Sequence, residues 1–539
     1  AWDLFAMSEY STITSLAESP LVEGLLYAGT DDGRIQVSED GGTNWRAVER
    51  LPDVTDDFFV NDIKADLHDA DTVYVTLDDH KTGDFTPYVY RSTDRGRSWT
   101  SLRGDLEDRN LVWRIVQDHV NPDLLFLGTE TGVFFTVDAG QHWVKLAGGM
   151  PTISLRDLEI QKRENDLVAA SFGRGFFILD DYTPLRELSQ EALQQPALLF
   201  PVRDAWWYLP KLTLGDFAEG GKSQQGDGYF VAPNPPFGAV FTYYLKEDLL
   251  SQAEARRKAE KPKAEAGEDT PTPGWEAIRA EELEEVAEVI LTVKDSEGAI
   301  VRQVSGPTTA GFHRVAWDLR YPLSSPWTPE PAVDSYIVIP GPLAAPGSYQ
   351  VTLSLRRNGE LQAMGEPQTF VVKPMRERGL KGADSSEVVA FTRQLDDLNR
   401  QVTGTASALA ELLVETSAMK SALLRSSADE ALRSSARTLE LELLEMQENL
   451  AGNERRSLYN HPERVTINRR LEVATLGTFR STYGPTATHQ QSLQIASDEF
   501  ASLNQRLAQI SREELPALRL QLDEAGVPWT PGRVLAPGN

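Results

Sequence analysis

Apolar and polar residues change rhythm three times along this chain, and each rhythm predicts a different kind of element. Up to about residue 190 the phrases LLYAGTDDGRIQVSED, LLFLGTETGVFFTVDA and the looser TVYVTLDDHKTGDFTPYVYRSTDR read as strand, polar turn, strand. From 191 to 375, FGAVFTYYL, EVILTVKD, AIVRQVSG, HRVAWDL, GSYQVTLSLRRNGE and QTFVVKP alternate apolar and polar positions between turn signals, which predicts an all-β sandwich. From 385 to 525 the apolar positions fall three and four apart. Val388, Phe391, Leu395, Leu398, Val402, Leu409 and Leu412 make one seam, Leu432 to Leu450 a second and Leu493 to Ile510 a third. With a shorter helix near Pro462–Phe479 this predicts about four antiparallel helices, with a kink or restart at Pro516. Residues 526–539 read as a tail. Within the middle region, 211–228 is a Gly-rich loop. Residues 251–285, charged and rich in Ala, Glu, Lys and Pro, are expected to be mobile.

The first region is a repeat. SEDGGTNW, STDRGRSW and TVDAGQHW share Ser/Thr-x-Asp-x-Gly-x-x-Trp, with aspartates Asp40, Asp94 and Asp138 and tryptophans Trp45, Trp99 and Trp143. The carboxylate suits a tight hairpin in which it accepts backbone N–H bonds, and the glycine supplies the permissive backbone. The indole is placed to wedge between neighbouring sheets, where it buries much area. These aspartates therefore read as structural, neither catalytic nor metal-binding. A fourth copy, DLVAASFGRGFFILDD, keeps both strands, but Asp181 in the aspartate slot is followed by Pro184 and no tryptophan.

These boxes resemble the Asp-box (BNR) repeats of sialidases and of the sortilin-type ten-bladed propeller. Beyond residues 1–190, the whole chain is similar to the C-terminal half of large bacterial proteins that carry such propellers and are often labelled glycosyl hydrolases. The resemblance implies one four-stranded blade per repeat. The run VILTVKDSEGAIVRQVSGPTTAGFHRVAWDLRYP is similar to an Ig-like assembly module of bacterial secreted proteins. The expected architecture is mainly β with an α C-terminal domain: a partial β-propeller at 1–190, an Ig-like β-sandwich at 191–375 with a charged insertion at 251–285, and an antiparallel helical bundle at 385–525.

Only about four blades fit before Pro184, and an open arc would leave two apolar sheet faces bare. Either the four close on themselves, or a second polypeptide completes the ring. A start at Ala1 in mid-phrase favours the second, with the N-terminal half of the same precursor as the simplest source. A larger envelope complex is a further possibility. Aligned on the boxes, the innermost strands carry the apolar anchors Ile13/Leu16, Val60/Ile63, Val112/Ile115 and Leu155/Leu158. Asn61, Asp62, Arg114, Arg156 and Asp157 fall between the anchors and are the expected channel-rim contacts for a ligand. Trp206, Trp207, Trp317 and Trp327 could stack on sugar but suit packing better.

Composition narrows the chemistry. The formal charge of −28 repels nucleic acid and acidic lipid. Without cysteine there is no disulfide, thiolate metal site or Cys nucleophile. The seven histidines make no zincin pair, and there is no GxSxG elbow or phosphate-binding loop. No cofactor is expected. The acidic turns Asp31–Asp32, Asp56–Asp57 and Asp78–Asp79 leave room for a structural calcium, but none has EF-hand spacing. The favoured reading is an extracytoplasmic bacterial binding or assembly protein. The alternative is a sialidase-like propeller hydrolase acting on glycans, with most of its catalytic residues outside this chain.

Overall fold

Apolar anchors three residues apart point to opposite faces of a regular strand, because side chains alternate with a period of two. In the computed structural model a β-bulge resolves this conflict in every inner strand. It falls between Ile13 and Ser15, Val60 and Asp62, and Leu155 and Asp157, and at the matching step of the third repeat. The extra residue resets the parity, so both anchors face one side and the two residues between them are thrown toward the strand's end. The structure describes residues 11–533 except 50, 55–57, 211–227, 229–231, 233, 324–340, 377–378, 380, 460, 463 and 480.

The repeats form consecutive antiparallel sheets, each ordered as in the chain: β1 (Ile13–Glu18) to β4 (Arg46–Ala47), with β2 (Leu26–Thr30) and β3 (Ile35–Ser38) between; β5 (Phe59–Ala65), β6 (Val73–Asp79), β7 (Asp84–Ser92) and β8 (Thr100–Ser101); β9 (Val112–Gln117), β10 (Leu125–Thr129), β11 (Gly132–Thr136) and β12 (Val144–Lys145); and a three-stranded β13 (Leu155–Gln161), β14 (Asp166–Ser171), β15 (Phe176–Leu179). They are the blades of a β-propeller, stacked face to face. The first seam packs Tyr27, Ile35 and Val37 on Val60 and Ile63. The second packs Tyr74 and Val89 on Val112 and Ile115. The third packs Phe126, Val133 and Phe135 on Leu155 and Leu158, with Tyr182 folded back onto it. Each such side chain contributes about 1.5–3 kcal/mol on full burial.

The end blades depart from this pattern. Ile13 and Leu16, the anchors of blade 1, are 60% and 65% exposed, whereas the six anchors of the other blades are buried. On blade 4, Phe176 and Ile178 are 73% and 59% exposed. Their counterparts in blade 1 (Ile35, Val37) and blade 3 (Val133, Phe135) are buried in seams.

By contact density the chain divides into two units. One comprises Ala1–Pro201, Thr242–Leu250 and Thr308–His313, and the remainder forms the other. After the blades come β16 (Ala197–Leu199), β17 (Ala205–Trp207) and β18 (Ala239–Leu245), then β19 (Glu288–Asp295), β20 (Ile300–Gly306), β21 (Gly311–Trp317), β22 (Gly347–Arg357), β23 (Glu360–Ala363) and β24 (Gln368–Pro374). One sheet runs β17-β24-β22-β19-β20, with β23 also on β22 and the β17–β24 pair parallel; a smaller one runs β16-β18-β21. In the second unit, Phe241 and Trp317 meet Tyr349 and Phe370 edge-on in a shared aromatic core. Trp207 and Trp317 are buried there, their indole N–H groups donating to the carbonyls of Ala344 and Arg320, so neither offers a sugar platform. Trp327 and the loop 211–227 lie outside the described residues.

The insertion at 251–285 is not the expected loop. It contains α1 (Gln252–Glu265) and α2 (Trp275–Leu283). Ser251 and Glu254 form a capping box, and Arg256 bridges Glu260 and Glu281. Ala, Glu, Lys and Arg are strong helix formers, so a composition too polar for a core still makes helices. Neither helix buries a side chain.

The C-terminal helices are α3 (Ser385–Leu423), α4 (Glu430–Ala451), α5 (Glu454–Leu458), α6 (Ile467–Thr478), α7 (Ala487–Gln509) and α8 (Leu515–Glu524). The apolar seams close on one another in a single core that includes Leu443, Phe500, Leu518 and Val527. A π turn over Ile510–Glu514 joins α7 to α8, where Pro516 lacks the N–H that an unbroken α-helix would need. Among the described residues no helix is long and apolar enough to cross a membrane.

Candidate functional site

The bulges decide what the rim residues do. In blade 1 the bulge pair is Thr14 and Ser15. The Thr14 hydroxyl donates to the Val60 carbonyl at 2.7 Å, and Ser15 Oγ accepts from the Ile63 N–H at 2.9 Å. Blade 2 repeats the arrangement with other side chains. Asn61 Nδ2 donates to the Val112 carbonyl at 3.0 Å, and Asp62 Oδ2 accepts from the Ile115 N–H at 3.2 Å. The first bulge residue is thus a donor and the second an acceptor, both spent on the anchors of the next blade.

The third seam breaks this order because its residues cannot follow it. Trp113 gives its indole N–H to Glu130 at 3.0 Å. Arg114 cannot accept; it reaches back to Asp62 Oδ1 at 3.2 Å and the Asn61 carbonyl at 2.9 Å, and forward to Asp157 Oδ1 at 3.1 Å. The Leu158 N–H, left without a cross-blade acceptor, donates to Asp157 instead. Burial pushes the Asp62 carboxyl up to about 6, against the pull of Lys64 and Arg114. Asp62, Arg114 and Asp157 are therefore one ionic ladder across three blades. Only Arg156 and Asp157 stand exposed. The Arg156 guanidinium lies 3.6 Å over the Trp113 ring and 5.4 Å from that of Phe172, and His80 meets Trp113 edge-on. Such cation–π stacking fixes the cation while leaving its N–H groups free to meet an anion.

The box aspartates sit in their hairpins. Asp40 Oδ1 accepts from the Asn44 N–H, Asp94 Oδ1 from those of Arg97 and Ser98, and Asp138 Oδ1 from those of Gln141 and His142, at 2.8–3.0 Å. Bonds led by the Ser98 hydroxyl hold the Asp94 carboxyl down at about 2. The tryptophans differ. Trp143 is 7% exposed, and its N–H groups reach Asp105 and the Leu102 carbonyl of the preceding blade. Trp99 joins the first seam. Trp45, expected to be buried, is 41% exposed and donates only to Gly42 in its own hairpin. A box indole packs on the blade before it, and no such blade lies before blade 1 among the described residues.

A second turn residue was missed in the sequence. At or just past the end of each inner strand stands Ser19, Asp66, Asp118 or Gln161, whose side chain accepts N–H bonds from the turn that follows. Asp118 is fully buried and also binds the Tyr182 hydroxyl and two Arg186 nitrogens. Burial works to raise its carboxyl, and those partners, Arg186 foremost, hold it below the ordinary value. The recurrence of a polar acceptor just after each inner strand was the available signal. The acidic turns Asp31–Asp32 and Asp78–Asp79 bind neighbouring hydroxyl, amide, guanidinium or imidazole groups; Asp56–Asp57 lies outside the described residues. Among the described residues no three acidic or imidazole groups gather as metal ligands.

No protein-family model and no curated protein matches the chain. Among solved structures it is similar to YCF48 bound to D1 peptide, at 17% identity and a TM-score of 0.26 over 32% of this chain and 52% of that one. It is also similar to the GH74 xyloglucanase of Xanthomonas campestris, at 15% and 0.24 over 30% and 26%. A third is the β-propeller domain of Myceliophteria thermophila Cps50 (Swd1), at 16% and 0.26 over 36% and 63%. The chain thus spans about half of YCF48 and a quarter of the xyloglucanase. The propeller architecture rests on the blades themselves.

Proposed function

We propose that this chain is a binding and assembly protein acting outside the cytoplasm, and that its blades belong to a sortilin-like Asp-box propeller completed by another polypeptide. The N-terminal half of the same precursor is the simplest source of the missing blades, and a larger envelope complex the natural setting. The Ig-like sandwich and the bundle would then serve as stalk or docking modules. One observation carries the reading: Ile13, Leu16, Phe176 and Ile178 are exposed on the two blade faces that no other blade covers among the described residues. Size-exclusion chromatography with light scattering tests it. The purified chain should self-associate or aggregate, and a well-behaved monomer would sink the idea.

The glycan-hydrolase alternative draws on Asp62, with its raised pKa, linked through Arg114 to the exposed Asp157. A glycosidase needs two carboxyl groups that both reach the bond, and Asp62 is buried beneath its seam. On this alternative a carboxylate other than Asp62 has to act, and most of the catalytic residues would lie outside this chain. Arg156 on its aromatic bed is the better-built contact, and it suits a ligand carrying a carboxylate or another anion.

A further inference from the structure

The chemistry of the blades that would complete the ring can be read from the seams already present, taking the proposed completion as given. The first two seams have three parts, and the third keeps the first of them. The anchors of the following blade press on a small residue in the second strand of the preceding one. A Cβ added at Gly29 would lie 2.4 Å from Val60 and 2.9 Å from Ile63, and one at Gly128 would lie 3.0 Å from the Leu155 carbonyl and 3.2 Å from Leu158. Thr76 fills the same place in blade 2, its hydroxyl toward the Trp113 carbonyl. The bulge pair supplies a donor and an acceptor to those anchors. The box of the following blade then settles on the outer edge of the preceding one: a Cβ at Gly140 would meet Leu102, and one at Gly96 would meet Val37 and Val48.

Both ends of the arc carry the matching halves. Blade 4 presents Ala170 at the small-residue position, in register with Phe176, while Val168 pairs with Ile178. Its bulge pair engages blade 3 instead, with Arg156 over the Trp113 ring and Asp157 paired to Arg114. Blade 1 presents the anchors Ile13 and Leu16 and the unburied Trp45. A second copy of this chain does not fit that end. Trp143 rests on the residues that follow the fourth strand β8, and blade 4 has no fourth strand among the described residues to underlie Trp45.

We infer that the occupant of both ends is a run of box-bearing blades distinct from this chain. Its first blade offers Ile/Val/Leu anchors three residues apart to Ala170, Phe176 and Ile178. Its last blade is four-stranded, with Gly, Ala or Thr facing Ile13 and Leu16 and an apolar floor for Trp45. The seams of this chain fix both sets of residues by repetition.

The test is site-specific photocrosslinking of the full chain in its source cell. p-Benzoylphenylalanine is placed at position 16 or 176, both exposed and therefore tolerant, and the adducts are sequenced. The inference expects position 176 joined to an inner strand with anchors three apart, and position 16 joined to a strand with a small residue at the seat. Both peptides should come from a polypeptide carrying the Ser/Thr-x-Asp-x-Gly-x-x-Trp box. Position 16 joined to 176 of another copy would overturn this occupant but leave ring completion standing. Adducts only to proteins without the box would overturn it as well. No adduct at either position, with a monodisperse monomer in solution, would overturn both.

Discussion

The helical bundle and the run of blades meet the same demand in opposite ways. Each is built from elements with an apolar face that must be covered. In the bundle the seams of α3, α4, α6, α7 and α8 cover one another, and charged pairs such as Arg519–Glu415 and Arg506–Glu442 tie one helix to another. In the blades the covering is passed along, each sheet sheltering the next, so the debt is moved to the two ends and not discharged. A closed set of helices can stand alone. A linear stack of sheets leaves its end faces bare, however well its inner seams are made.

The broadest way to break this contrast is to separate the parts. A polypeptide of residues 384–533 should be soluble and strongly helical by circular dichroism, whereas residues 1–190 alone should aggregate. A random-coil spectrum from the first would show that the bundle leans on other contacts. At single-residue scale, the sharpest pair is two phenylalanines. Phe126 lies wholly inside the third seam and Phe176 on the bare face of blade 4. In urea unfolding at concentrations low enough to keep the chain dispersed, Phe126→Ala should cost about 3–5 kcal/mol, and Phe176→Ala no more than about 0.5 kcal/mol. A large loss at Phe176 would mean that its face is covered.

Polar contacts extend the comparison at smaller scale. Asp118→Ala strands the Arg186 guanidinium and should cost about 3 kcal/mol. Asp397→Ala, which removes an exposed i,i+3 pair with Arg400 on the bundle, should cost under about 1 kcal/mol. Asp94→Ala should cost about 1 kcal/mol through its hairpin bonds without changing ligand affinity per folded molecule. Because the folded Asp94 carboxyl titrates near 2, below its unfolded value, the stability it lends is complete above about pH 4 and is lost as the pH falls toward 2. An acid titration of the wild type and Asp94→Asn, read by tryptophan fluorescence, should show the difference confined to that window.

What was legible in the sequence was whatever repeats or keeps a period. The anchors could be aligned from their distance to the box, and the bundle seams from three-four spacing, because both patterns are local. The rim was only half legible. Asn61, Asp62 and Arg114 lie at the bulges between the anchors, but their use depends on whether the facing residue one blade away donates or accepts, which no single repeat displays. Asp118 escaped notice because its partners Tyr182 and Arg186 come from a segment that no longer matches the repeat. The 251–285 insertion was misread for a different reason: its composition rules out a core, and helix does not need one when caps and ion pairs suffice.

The α1–α2 hairpin has a practical consequence. Its side chains lie on the surface, and Arg256 with its two glutamates is its chief internal tie. The stretch between its helices is thus a permissive position for inserting a fluorescent or affinity module. A label there would follow the protein in living cells while leaving blades, sheets and bundle as they are.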